Sequence, residues 1–400
     1  MRVLLVGSGA REHALAWAIA RCPTLTELHA APGNPGIAAL GDCHPVRADD
    51  GDGLLGLAVT LGIDLAVIGP EAPLVAGVAD ELRHAGIAVF GPTAAAARIE
   101  GSKSFAKEVM VAAGVPTAAA LSVARAPCVV KADGLAAGKG VFVCRTTDEL
   151  DVGLRGATAL GSAIVIEELL EGPEVSLFAL CDGRRAVPVG AAQDYKRAGD
   201  GDTGPNTGGM GAYSPVGALA DAQSLVQQIH QPVVDELARR GTPFVGCLFA
   251  GLMVTADGPR VLEFNARFGD PETQALLPRL EGDVLGALAA TAGGDAADVQ
   301  LRESAESAVT VVLTGPDYPE RSDYSGAPIS GLEESSDALV FHGATAVRNG
   351  RVVTNGGRIL SVTAVAPTLT DARARAYATV NKVSFEGVRF RRDIAAIADA

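Results

Sequence analysis

Between residues 1 and 90 the chain switches repeatedly between short, uninterrupted apolar runs and longer segments of helical character. Residues 3–6, 27–30, 65–68 and 87–90 read as strands, and 11–21, 54–61 and 75–85 as helices. A strand that is apolar at every position has no face to give to water, so both of its faces must be covered. That is the property of a parallel sheet whose crossover helices lie on either side. The pattern predicts a doubly wound α/β domain at the N-terminus.

With 400 residues the chain exceeds one compact core, since a domain takes roughly 150. A helix-prone stretch at 93–113 leads to Pro116, and strands at 129–131 and 141–143 bracket a glycine-rich loop. Strands at 163–167, 175–180 and 186–189 follow with little helix between them, the pattern of a small antiparallel lid. A long helix at 219–240, a strand pair at 245–255 and 260–264, and helices to about 291 come next. Ala292-Gly293-Gly294-Asp295 reads as a linker. The remainder, with a strand at 310–313, a hairpin around Asn355-Gly356 and a helix at 370–382, reads as a small α+β domain. The expected division is 1–100, 101–293 with a lid at about 117–190, and 294–400.

Composition narrows the function. A net charge of −14 opposes binding to nucleic acid or to anionic membrane, and no apolar run reaches the ~18 residues of a membrane span. The six cysteines and six histidines show no ligand spacing, which favours buried reduced thiols over disulfides or zinc. Met1-Arg2 passes straight into a strand and then Gly7-Ser8-Gly9, leaving no room for a signal peptide. A cytoplasmic location is expected.

The chemistry concentrates in a few motifs. Gln193 to Tyr213 sets Asp194, Lys196, Arg197 and Asn206 among glycines with no apolar period to bury. Glu263 and Asn265 alternate with apolar residues, so they share one strand face, as common metal coordination requires. Arg267 follows with a planar fork suited to a phosphate oxygen, and Asp270 adds acid nearby. Lys131 and the loop from Ala132 to Gly140, with Gly138, Lys139 and Gly140, can cover phosphates, although the spacing is not that of a P-loop. Glu167 to Leu170 and Glu174 look like a strand running into a hinge that offers polar groups to a nucleoside. Gly9, Arg11 and Glu12 follow the first strand, where an anion can meet a helix N-terminus. The missing third glycine and acid count against a dinucleotide. Gly69-Pro70-Glu71 closes the third strand at the same sheet edge, where ligands of such sheets collect.

These residues resemble the ATP-grasp ligases and, within them, the phosphoribosylamine-glycine ligase family. The likeness runs through GSGAREHALAW at Gly7, APGNPG at Ala31, IGPEAPLV at Ile68, FGPT at Phe90, EGSKSFAKE at Glu100, VKADGLAAGKGV at Val130, both motifs above, and VVTNGGR at Val352. The resemblance implies three domains: a pre-ATP-grasp domain, an ATP-grasp domain with a lid, and a small C-terminal domain. It implies ATP and Mg²⁺ (or Mn²⁺) as cofactors, glycine and phosphoribosylamine as the other small-molecule partners, and a glycyl-phosphate intermediate. Transient contact with neighbouring purine-pathway enzymes is a further expectation. Lys103 and Lys131 would contact phosphates, Glu167, Glu168, Leu169, Leu170 and Glu174 the adenosine, Glu263 and Asn265 the metal, and Arg267 the acyl phosphate. Asp194, Lys196, Arg197 and Asp270 would grip the ribosyl phosphate and the glycine ammonium. The chain departs from the family at Ala10, a glycine in many members, at shortened segments after Pro116 and before Ile164, and in the order Phe341-His342-Gly343-Ala344. The alternatives are another ATP-grasp ligase or carboxylase, or a non-catalytic nucleotide-binding module.

Overall fold

The computed structural model describes residues 1–135, 140–161, 163–217, 219, 221–333 and 337–396. The N-terminal strands form one sheet in the order Asp42–Cys43, Glu27–Pro32, Arg2–Gly7, Leu65–Ile68, Ala88–Phe90, with every pairing parallel. Strand Arg2–Gly7 shows why the run is apolar throughout: Leu4 and Val6 enter one hydrophobic core while Val3 and Leu5 enter another. The strand order reverses between this strand and Leu65–Ile68: successive strands are added on one side of Arg2–Gly7 and then on the other. A crevice therefore opens at their C-terminal ends, beside Gly7-Ser8-Gly9 and Gly69-Pro70-Glu71.

The other large element is an eight-stranded sheet, ordered Gly258–Asn265, Val245–Thr255, Glu174–Asp182, Ala186–Asp194, Gly211–Ser214, Ser307–Thr314, Arg358–Ala366, Leu339–His342. It crosses from the central part of the chain into the C-terminal part where Gly211–Ser214 pairs antiparallel with Ser307–Thr314. A separate three-stranded sheet, Val141–Cys144, Cys128–Ala132, Ile164–Glu168, carries the glycine-rich loop.

Three local expectations are corrected and one helix is added. Strands Glu174–Asp182 and Ala186–Asp194, expected beside Ile164–Glu168 in the lid, lie in the eight-stranded sheet. A helix that sequence reasoning passed over, Thr147–Ala159, precedes strand Ile164–Glu168 and packs Leu150 and Ala157 on the three-stranded sheet. Its signal was a capping box: Thr146 accepts from the Glu149 backbone while the Glu149 carboxylate accepts from Thr146 N at 2.9 Å. Residues 292–295 are no linker, because helix Val284–Gly293 runs into them and stops at left-handed Gly294. The C-terminal hairpin turns at Asn349-Gly350, both with positive φ, and pairs Thr345–Arg348 with Arg351–Asn355. Asn355-Gly356 is instead a corner between two sheets, where a Cβ on Gly356 would come 2.6 Å from that of Ala344.

Candidate active site

Strand Gly258–Asn265 is an edge of the eight-stranded sheet, and its register with Val245–Thr255 places Glu263 opposite Gly251 and Asn265 opposite Phe249. Two residues apart on one strand, Glu263 and Asn265 share a face, while Phe264 between them is buried in the core behind. Gly251 makes room, since a Cβ there would already touch Glu263 Cγ at 3.3 Å. Burial would raise the Glu263 carboxyl, yet Lys196, Lys131, Lys103 and Arg267 together hold it below the ordinary range. Among the described residues no hydrogen bond or ion pair occupies the Glu263 carboxylate or the Asn265 amide. No cluster of three or more His, Cys, Asp or Glu among them could hold a metal by protein ligands alone. A magnesium-type cation takes one or two protein oxygens and completes its shell with water and phosphate, so this oxygen pair beside cations fits such an ion.

The cations are individually anchored. Lys131 Nζ donates to Leu262 O at 2.9 Å and pairs with Glu167 Oε2 at 2.7 Å. Lys107 meets the other oxygen, Oε1, also at 2.7 Å, so one buried carboxylate bridges two lysines. Lys103, at the start of helix Lys103–Ala112, reaches Gly134 O at 2.8 Å and so meets the entry to the glycine-rich loop. Gly138 and Lys139 lie outside the described residues, while Gly140 O accepts from Ala132 N at 2.8 Å. The Glu168 carboxylate takes Ala119 N at 2.8 Å and Arg260 at 2.9 Å. Leu169 and Leu170 stand half-buried on the crossing to strand Glu174–Asp182. Glu174 pairs with Lys196. Burial pushes the Asp194 carboxyl well above its ordinary value, Lys196 opposing and Glu272 and Glu174 adding to it.

Arg267 is fixed by two acids from the N-terminal part of the chain: Nη2 lies 2.9 Å from Glu100 Oε1, and Nε 3.2 Å from Glu71 Oε2. Burial acts against the Glu71 carboxyl, but Arg267 and Arg11 hold it down at about 2. Arg11 and Glu12 face each other inside the protein at 2.6 Å. Arg11 also donates to Phe268 O, and Glu12 accepts from Gly9 N at 2.7 Å. The glycines around Glu12 are explained by this carboxylate, because a Cβ on Gly69 would fall 2.1 Å from Glu12 Oε1. Asp270 meets Arg358 at 3.0 Å and Gln274 at 2.8 Å. A cavity of about 310 Å³ opens there, lined by Ser8, Gly9, Asp270, Arg358 and Ser361 among others. In the glycine-rich hairpin Arg197 pairs in register with Asn206 and donates to Gly204 O at 2.8 Å.

The structure therefore gathers Lys103, Lys131, Lys196, Glu263 and Arg267 around one space and turns Arg11, Glu12 and Glu167 into internal partners. Sequence reasoning passed over Glu100, Lys107 and Arg358. Each lies inside a motif quoted above, and Lys107 falls four residues after Lys103 on one helix face. The set can bind a polyanion with a divalent cation and bring a second anion against it.

The chain is similar to known proteins along its whole length. The phosphoribosylglycinamide synthetase family matches the chain with its N domain over residues 1–100, its ATP-grasp (A) domain over 101–273 and its C domain over 308–397. A phosphoribosylamine--glycine ligase of Streptomyces coelicolor is 53% identical over 99% of both chains, and one of Agrobacterium fabrum is 48% identical over 98% of both. The crystal structure of phosphoribosylamine--glycine ligase from Thermotoga maritima superposes with a TM-score of 0.86 at 33% identity, covering 98% of this chain and 100% of that one. The biotin carboxylase domain of Hydrogenobacter thermophilus 2-oxoglutarate carboxylase, at 17% identity and a TM-score of 0.68 over 97% and 91%, shares the fold alone. Matched domain by domain and along its whole length, the chain belongs to the phosphoribosylglycinamide synthetase family of ATP-grasp enzymes.

Proposed function

We propose that this chain joins glycine to 5-phospho-β-D-ribosylamine, yielding glycinamide ribonucleotide, ADP and phosphate through a glycyl-phosphate intermediate, a step of de novo purine synthesis. The observation that carries it is the uncommitted Glu263–Asn265 pair held between Lys103, Lys131, Lys196 and Arg267. Two anions, a triphosphate and an amino-acid carboxylate, must meet for the first step. Fixed cations that cancel their repulsion and hold them in line supply the catalysis.

In this reading Lys103 and Lys131 hold ATP phosphates, with the loop from Ala132 to Gly140 above them. Glu168, Leu169 and Leu170 line the adenosine side, with the backbone of Glu167, whose carboxylate orients Lys131. Glu174 either reaches the ribose or remains with Lys196. Glu263 and Asn265 hold Mg²⁺ (or Mn²⁺), which when bound neutralises phosphate charge as the phosphoryl group transfers. Arg267, locked by Glu71 and Glu100, steadies the acyl phosphate. Asp194, Lys196, Arg197 and Asn206 face the glycine and the amine. The cavity beside Gly9, Asp270 and Arg358 takes the sugar phosphate. The domain division we propose is 1–100, 101–293 and 294–400. The six free thiols fit a reducing cytoplasm, and transient contact with enzymes supplying the unstable amine belongs to the same reading.

The test is phosphate release with each substrate omitted in turn. Release that requires both glycine and phosphoribosylamine is expected. Release that proceeds without glycine, or that follows bicarbonate and biotin instead, overturns the proposal.

A further inference from the structure

The hairpin Arg197–Gly199 and Thr203–Asn206 presents a problem of order. Residues 200–205 are exposed, they include Gly201 and Gly204 with Gly199 just before them, and no apolar side chain among them reaches a core. A glycine-rich, exposed turn is entropically free unless something fastens it. The fastening comes from the far end of the chain. Arg391 is 1% exposed and lies against the hairpin. Asp393 sets the plane of its guanidinium, accepting from Nε at 2.8 Å and from Nη2 at 2.6 Å. The remaining nitrogen, Nη1, donates to Arg197 O and to Asp202 Oδ1, each at 3.0 Å.

The same segment adds further ties. Arg392 N donates to Asp200 Oδ1 at 2.7 Å, and Gly201 N donates to Asp393 Oδ2 at 2.8 Å. Ala395 N donates to the Tyr195 hydroxyl at 2.9 Å, and the Arg391 guanidinium lies over the Tyr195 ring, 4.9 Å from its centre. Tyr195 is buried in the C-terminal core, and its neighbours in sequence are Asp194 and Lys196. Asp200 and Asp202 are thus accounted for by the clasp and not by a ligand.

We infer that residues 391–395 form a clasp that holds the 197–206 hairpin in its working position, with Arg391 as the positioning residue. The inference rests on the proposed role of Lys196, Arg197 and Asn206 toward glycine and the amine, and deepens it. Three hydrogen-bonded partners converge on one buried guanidinium, so its loss frees Arg197 and Asp202 together.

The experiment compares the full-length enzyme with Arg391→Gln and Arg391→Lys, by hydrogen exchange of the peptide covering 196–206 and by KM for all three substrates. Arg391→Gln is expected to speed exchange in that peptide and to raise the KM for glycine and phosphoribosylamine roughly tenfold, with the KM for ATP within about twofold. Arg391→Lys should fall between. Asp202→Asn, an exposed substitution that leaves the Arg391–Asp393 pair intact, should move both readouts in the same direction and keeps the test open if Arg391→Gln does not fold. Unchanged exchange in both variants overturns the clasp. Faster exchange with all three KM values unchanged overturns Arg391 as a positioning residue and places the failure in the hairpin's assignment to substrate.

Discussion

Glu167 and Lys131 meet at 2.7 Å with almost no solvent around either side chain, and Lys107 closes on the opposite oxygen at the same distance. An isolated carboxylate could not stay charged there, and neither lysine could sit beside the other without it. Glu167→Gln should lower stability by about 3 kcal/mol, in the range for breaking a buried pair from one side. It should also raise the KM for ATP about tenfold as Lys131 loses its bearing. Urea unfolding with steady-state kinetics measures both, and an unchanged KM for ATP would separate Lys131 from nucleotide binding.

Glu263→Gln removes charge from a site with no packing role. Turnover should fall at least about a hundredfold, the scale for losing one preorganised electrostatic group, with the melting temperature held within a few degrees. Chelation of divalent ions should depress the wild-type rate as strongly. Near-normal turnover in the variant at low magnesium would remove Glu263 from the metal site.

Arg267 uses separate nitrogens for Glu100 and Glu71, an arrangement that the single ammonium of lysine cannot reproduce. Arg267→Lys should therefore reduce kcat/KM for glycine by about a hundredfold despite keeping its charge. A fall of less than about threefold in a substrate titration would show that charge alone suffices.

Stability should decline on mild acidification. His13 Nδ1 accepts from His342 N at 2.8 Å, and burial, with His342 adding to it, pulls the His13 pKa from 6.5 to about 3. Burial likewise takes His342 to about 4. The folded values lie below the unfolded one, so this stability is complete above pH 6.5 and drains as pH falls toward 3–4. From pH 7 to 5, His13 should cost about 2 kcal/mol. Glu71 adds a second loss lower down, between about 4.5 and 2. Denaturant titrations across this range check the slope. His13→Gln, which can still accept from His342 N, should flatten its upper part.

Much of this was legible beforehand because periodicity reports burial directly: strand Arg2–Gly7 is apolar throughout and is covered on both faces. The alternation of Glu263 and Asn265 likewise placed both on one face, as their register requires. What failed was local chemistry with two meanings. Gly293-Gly294 can punctuate a linker or end a helix, and only tertiary packing decided for the helix end. Asn349-Gly350 and Asn355-Gly356 carry the same turn dipeptide, but strand pairing across the first alone makes it a hairpin. Arg11, Glu12 and Glu167 have internal partners that spacing along the chain does not announce, because a charged residue's buried partner, here a neighbouring acid, base or backbone amide, is set by the fold.

Strand Gly211–Ser214 is hydrogen-bonded on one side to Ala186–Asp194 and on the other to Ser307–Thr314. A fragment ending near residue 293 would strip one flank of that strand and leave its backbone amides and carbonyls bare. Such an unprotected flank invites pairing with another molecule. Dissection of this enzyme into separately expressed pieces should accordingly yield insoluble material unless the missing piece is supplied during synthesis.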